Sequence, residues 1–516
     1  MPNRPLVHFV GAGPGDPGLI SVRGARCLSR ADVIVYDRLV PEAILRYAKS
    51  GAERIDVGRA APQAKDRDAI AYLLVEKQRE GKRVVRLKWG DPFVFDDGGE
   101  EALFLHEHGV PFEVVPGIPA AVAVPAYAGV AVTYRGGGDT LTFIRGHEDA
   151  SHDAPPVDWS SLARLDGTVV CYADRDQANV ILSSLVAAGR PAAEPAALVY
   201  RGTLAGQHTI TGTLGELAST APPSPDPAIV IVGRVAGLRQ HLRWFDVRPL
   251  FGQRIVVTRP REQAHEMVEA LEDLGAHVIQ APSVRIVAAG DDAPLTEACA
   301  DLSRFSWLVL PNTASAEAFL RVVLAAADIR QLKGVGICAI GQASVERFAQ
   351  FGVRVDVPAV EYRPELLVAA LSTSGPLEGS RILVPKGEGT RDLLAEVLRD
   401  AGAEVTEVPA YRTVPIALGD PREPDLYRML LEKEIDVVAF TSASTVRDYV
   451  ELYGADPLAD LLGGTTVACI GPVTAEVART YGIDTAILPE EYTIAGLIDA
   501  IVRHYASSGA ETAVGS

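Results

Sequence analysis

Short runs of aliphatic and β-branched residues alternate with segments of helical period along the whole chain. Residues 6–10, 32–36, 84–87, 168–172 and 228–232 are mostly apolar, with at most one polar position each, and are bounded by Gly, Pro or polar residues. Runs of that kind belong to strands covered on both faces, so the pattern predicts α/β domains with mostly parallel sheets. A fresh strand at 254–258 follows the stretch WFDVRPLFG at 244–252, which places the main boundary near residue 250. The polar, Pro-containing stretch 147–159 predicts a linker inside the first half.

The second half repeats itself. RIVVTRPREQAHEMVEALEDLGAHV from Arg254 matches RILVPKGEGTRDLLAEVLRDAGAEV from Arg381, an offset of 381 − 254 = 127. LVLPNTASAEAFL around Leu310 matches VAFTSASTVRDYV around Phe440 at 130, as do Ile340-Gly341 with Ile470-Gly471 and Glu361-Tyr362 with Glu491-Tyr492. Two similar α/β units follow, each reading strand, Ser/Thr-rich turn, helix, strand, Ile-Gly turn, helix. A crevice between them is the default place for a ligand. Hydroxyl and amide donors at helix starts suit carboxylates or phosphates there.

Composition narrows the classes. A chain of 516 residues predicts about three to four domains. With 48% hydrophobic and 22% charged residues it is an ordinary globular sequence. Lys and Arg number 49 against 67 Asp and Glu, a net charge of −18 that repels nucleic acid. Cys27, Cys171, Cys299, Cys338 and Cys469 are odd in number and lack CxxC spacing, so no metal site and no disulfide framework are expected. The longest apolar stretch, 120–132, is broken by Pro125 and falls short of the about 20 residues a membrane helix needs. No secretory segment opens the chain, and a cytoplasmic protein with no membrane partner is expected.

In the first half, GAGPGDPG at 11–18 follows the first strand, and RLKWGDPFVFDDGGEE at 86–101 ends another strand in a Gly-Asp-Pro turn. Such loops let backbone approach a flat or anionic ligand without side chains intervening. The first is out of register with GxGxxG, which argues against a nicotinamide dinucleotide. VHFVGAGPGDPGLISVRGARCLSRADVIVYDRLV, RLKWGDPFVF, FEVVPGIPAA, AYAGVAVTYR and VYRGTLAGQHTITGTL resemble the uroporphyrinogen-III C-methyltransferase family of tetrapyrrole methylases, over residues 6–245. The resemblance implies a methylase fold of two subdomains (about 1–116 and 117–250), commonly dimeric, with S-adenosylmethionine as the donor for two methylations of uroporphyrinogen III. It implies Pro14, Gly90, Asp91, Val94, Ala120 and Gly202 as cofactor contacts and Asp37 as proton acceptor. A carboxylate at a strand's carboxyl end can take the proton released after methyl transfer, although it is also a common helix cap.

Departures cluster at that site. Trp89 stands where the family has glycine, Asp96-Asp97 where it has Gly-Arg, Ala173-Asp174 where it has Met-Gly, Pro119 where it has threonine, and Tyr134 where it has histidine. Arg59 replaces the lysine implied as proton donor, and a guanidinium does not act as a general acid. A first half that is weakened, altered in substrate or retired to a scaffold is the expectation.

The second half resembles uroporphyrinogen-III synthase over residues 252–506 through RIVVTRPREQ, RILVPKGEGTRDLL, VPAYRTVP, VAFTSASTVRDYV, CIGPVTAEVA and PEEYTIAGLIDAI. That family implies two Rossmann-like lobes, about 252–284 plus 416–506 and about 287–412, within a domain of 251–516. It also implies cyclisation of hydroxymethylbilane with inversion of the last pyrrole, without a cofactor. Tyr411 is the candidate donor to the departing hydroxyl, since a phenol does this while neutral. Thr441 and Ser442 at a helix start, Arg259 and Lys386 at matching repeat positions, and Thr474 are candidate contacts to the substrate's carboxylates. Two other readings stay open: a bifunctional enzyme passing uroporphyrinogen III between halves, and a bilobed anion- or sugar-binding module.

Overall fold

The apolar runs become strands buried on both faces. In this computed structural model the described residues are 6–49, 51–58, 67–145, 157–173, 177–220, 226–359, 364–373, 375–389, 393–420 and 423–513. Arg59, Asp174, Glu361, Tyr362 and most of the linker 147–159 lie outside them. The chain divides into two units, Met1–Gly252 and Gln253–Ser516.

The first unit opens with β1 (Val7–Gly11), β2 (Val33–Tyr36), β3 (Glu53–Asp56), β4 (Val84–Lys88) and β5 (Phe112–Val115). They form an all-parallel sheet in the order β3-β2-β4-β1-β5. All of β4 is buried, Arg86 and Lys88 included. Charge in a central strand is expensive unless paired, so β4 already marks a site. The loops after β1, β2, β4 and β5 leave from one edge, where ligands of open parallel sheets bind.

A second sheet holds β6 (Thr140–Arg145), β7 (Gly167–Ala173), β8 (Pro195–Tyr200), β9 (His208–Thr213) and β10 (Ala228–Val232), in the order β6-β7-β10-β8-β9. Only β6 and β7 pair in parallel; the other three pairings are antiparallel. For β8 and β9 the reason is connection length. Residues 201–207 join β8 directly to its neighbour β9, too short a link for a parallel crossover.

The second unit contains β11 (Arg254–Val257), β12 (His277–Gln280), β13 (Val284–Ala288), β14 (Trp307–Leu310), β15 (Gly336–Ile340), β16 (Val357–Ala359), β17 (Arg381–Gly387), β18 (Glu404–Pro415), β19 (Val437–Phe440) and β20 (Thr466–Cys469). One sheet is β12-β11-β19-β20, all parallel; the other is β13-β18-β17-β14-β15-β16, parallel except where β13 runs against β18. Each sequence repeat is split between the two sheets. The first repeat sends β11 and β12 to one and β14 and β15 to the other; the second sends β17 and β18 to the latter and β19 and β20 to the former. Helices Arg261–Asp273 and Thr313–Ala326, one from each lobe, pack against each other.

Candidate functional site

At the first unit's sheet edge three loops meet backbone to backbone. A Cβ on Gly117 would lie 2.1 Å from the Gly90 carbonyl oxygen, and one on Gly11 would lie 2.5 Å from Gly117. Gly13 (φ 79°) and Gly90 (φ 66°) exchange both backbone hydrogen bonds, at 3.2 and 2.8 Å. Asp91 accepts from the Gly117 amide (3.0 Å) and the Phe93 amide (2.8 Å), so its carboxylate fixes the turn. Val94 follows in that turn, half-buried. Gly202 sits against Val124, between Arg201 (φ 49°) and Thr203 (φ 68°). A β-branched residue in the left-handed region is strained, and such strain persists where surroundings impose it. Here the Thr203 hydroxyl accepts the Asp16 amide, tying that loop to the glycine-rich one.

Trp89 closes this group. Its indole N–H donates to the Pro14 carbonyl at 2.8 Å, and its ring meets Tyr172 edge-on at 6.3 Å. Tyr172 in turn accepts the Ala121 amide at 3.1 Å, in the first turn of the helix Ala120–Tyr127, and contacts Phe95 edge-on. The polar groups of Pro14, Gly90 and Asp91 are thus already engaged within these loops.

Beside it lies a buried charge cluster. Arg86 forms a two-pronged pair with Glu101 (2.9 and 3.0 Å) and reaches Asp37 at 2.7 Å. Lys88 bridges Glu101 (3.0 Å) and Asp96 (2.6 Å). Burial would push Arg86 down, but Glu101 and Asp37 outweigh it and hold it above its ordinary value. Burial likewise opposes Glu101, whose two cations keep it below the usual carboxylate range. Asp96 is different: burial, with Asp37 adding to it, pushes it up to about 6 against the pull of Lys88. Arg86, Lys88 and Glu101 were missed as site residues; the one available signal was two cations inside an apolar run.

In the second unit the predicted residues gather at two strand edges. Tyr411, half-buried, sits where β18 passes β17, opposite Gly387. Its phenol oxygen accepts from the Asn312 amide at 2.9 Å. Lys386, at the end of β17, is paired with Glu407 at 2.6 Å, and Glu407 also binds Arg399. In the other lobe Ser442 caps the helix Ala443–Tyr453, accepting the Thr445 amide at 3.2 Å, with Thr441 next to it and Thr474 buried in the helix Pro472–Thr480.

Arg259, half-buried just past β11, makes no hydrogen bond or ion pair among the described residues. Burial lowers it, Glu266 alone opposing, yet a guanidinium stays charged. Arg259 and Lys386 are therefore not equivalent: one is neutralised by its own lobe and the other is not. Where the two lobes' helices meet, Glu317 is pushed up by burial and by Glu262, with Arg347 opposing. A Glu262 carboxylate oxygen there is buried and unpartnered among the described residues. Those residues hold no group of three metal-ligating side chains and no helix long and apolar enough to cross a membrane.

Residues 6–218 match the family of Tetrapyrrole (Corrin/Porphyrin) Methylases and residues 265–499 the family Uroporphyrinogen-III synthase HemD. The porphyrin biosynthesis protein HemD of Ruminiclostridium josui is 34% identical over 503 residues, 96% of this chain and 98% of that protein. A siroheme synthase of Neisseria meningitidis serogroup B is 46% identical over 240 residues; the match covers 46% of this chain and 49% of that protein, so the chain spans about half of it. Among solved structures, uroporphyrin-III C-methyl transferase from Thermus thermophilus, complexed with S-adenyl homocysteine, is 36% identical with a TM-score of 0.39, covering 45% of this chain and 92% of that one.

Proposed function

We propose a function from one premise: the chain belongs to the HemD family of porphyrin biosynthesis in its fused form, a tetrapyrrole methylase half followed by a uroporphyrinogen-III synthase half. The second unit closes hydroxymethylbilane into uroporphyrinogen III. The observation that carries this reading is Arg259, a half-buried guanidinium that makes no hydrogen bond or ion pair among the described residues and feels only the charge of Glu266, in a chain of net charge −18. A half-buried charge with so little local compensation is costly, and a ligand bearing several carboxylates supplies what the fold withholds.

Tyr411 donates to the departing hydroxyl. The carbon–oxygen bond breaks, the oxygen leaves as water, and the pyrrole nitrogen's electron pair stabilises the cationic carbon. The substituted carbon of the last ring attacks that carbon; the spiro intermediate then breaks that ring's bond to the preceding bridging carbon, and the ring's unsubstituted carbon attacks the freed bridge and loses its proton, which replaces the one Tyr411 gave up, leaving the ring inverted. The reactivity belongs to the substrate; the protein holds the bilane so that inverted closure outruns direct closure. Arg259, Thr441, Ser442 and Thr474 contribute by gripping carboxylates.

The methylase family implies S-adenosylmethionine for the first unit. The residues present do not fit it as they stand, because the Trp89 indole takes the Pro14 carbonyl and packs on Tyr172 at the implied contacts. No methyl-transfer step is assigned.

The test is cyclisation of hydroxymethylbilane followed by oxidation and isomer analysis. Wild type gives the type III product in excess. Tyr411→Phe lowers kcat by about tenfold or more, equivalent to about 1.4 kcal/mol, with an unchanged thermal midpoint. Arg259→Ala raises KM. Only spontaneous type I product from wild type overturns the reading.

A further inference from the structure

Asn312 was not singled out by the sequence, yet it makes two directed contacts. Its side chain caps the helix Thr313–Ala326 by accepting the Ser315 amide at 2.9 Å, and it donates to the Tyr411 phenol oxygen at 2.9 Å. Orientation follows from chemistry. A backbone N–H only donates, so the atom facing Ser315 is the amide oxygen and the atom facing Tyr411 is the NH2.

The repeat makes the contact specific to one lobe. The counterpart of Asn312 is Ser442, since 442 − 130 = 312, and Ser442 caps its own helix in the same way. The counterpart of Tyr411 is Val284, since 411 − 127 = 284. A hydroxyl at the cap suffices where no phenol stands opposite; an amide spans cap and phenol together. Because the amide donates, the contact uses an oxygen lone pair of Tyr411 and leaves its proton out of that bond.

We propose that Asn312 is a positioning residue for the cyclisation, locking the Tyr411 phenol oxygen at one point above the strand edge so that its O–H meets the leaving hydroxyl. This rests on the role given to Tyr411 above. A side chain anchored at both ends holds such geometry more tightly than packing alone, and small misplacements of a donor are costly in rate.

The experiment is a kinetic double-mutant cycle on the full chain with hydroxymethylbilane, using Asn312→Ser and Tyr411→Phe. Serine preserves the cap, as Ser442 does in the other lobe, and removes only the donor to the phenol. Asn312→Ser is expected to lower kcat about fivefold to tenfold with KM and thermal midpoint unchanged, and to have no further effect in the Tyr411→Phe background. A multiplicative loss in both backgrounds, or wild-type kcat in Asn312→Ser while Tyr411→Phe is impaired, overturns the proposal. An unimpaired Tyr411→Phe instead overturns the role of the tyrosine itself.

Discussion

At the scale of single residues, the first unit turns on Trp89 and Asp96. The indole of Trp89 bridges Pro14 and Tyr172, so removing it opens the space between them. Calorimetry with S-adenosylhomocysteine should show wild type binding weakly and Trp89→Gly at least about tenfold more tightly, about 1.4 kcal/mol. Micromolar binding by wild type defeats the occlusion. Asp96 titrates at about 6 in the folded chain against an ordinary value of 3.8. Between those values the folded state keeps a proton that the unfolded state has lost, so this group's contribution to stability falls as pH rises from about 4 to about 6. Urea unfolding of Asp96→Asn relative to wild type should show a difference that grows across that window and is flat outside it. Parallel curves at every pH show that another group titrates.

Elements meet at the glycine-rich edge of the first sheet, and there the close approach of loops is the structural fact. Gly117→Ala puts a methyl 2.1 Å from the Gly90 carbonyl, a backbone atom with nowhere to go, and should cost about 2–4 kcal/mol. Gly99→Ala, within the helix Gly98–Glu107 and with nothing within 4 Å, should be neutral or stabilise by up to about 1 kcal/mol. Equal destabilisation by both would remove the argument for close loop packing. Strand positions were legible because consecutive apolar residues point to two covered faces; Ala228–Val232 is an example. The antiparallel β8, β9 and β10 were not, since strand direction depends on which neighbour a connection reaches and not on the strand's own residues.

Across the whole molecule, each unit has its own sheets and its own apolar cores. Residues 253–516 alone should fold and keep type III cyclisation within about twofold of the full chain, since every residue named in the proposed site belongs to the second unit. An isolated second unit that folds but gives only type I product shows that the site is incomplete without the first. The repeat in this half was visible as two constant offsets, 127 and 130, because equivalent strands and caps need equivalent residues. Its division between two sheets is a property of the folded chain.

The sequence by itself determined the α/β character, the two families and the repeat, because periodicity and motif spacing are local properties. Tertiary structure alone decided which of those groups are already satisfied. Lys386 meets Glu407 across a strand pair while Arg259 makes no hydrogen bond or ion pair among the described residues; Trp89 bends back onto Pro14, 75 positions earlier; and Asn312 reaches Tyr411 from 99 positions away. Charge compensation and hydrogen bonding act over a few ångströms of space, and only folding determines which distant residues come that close.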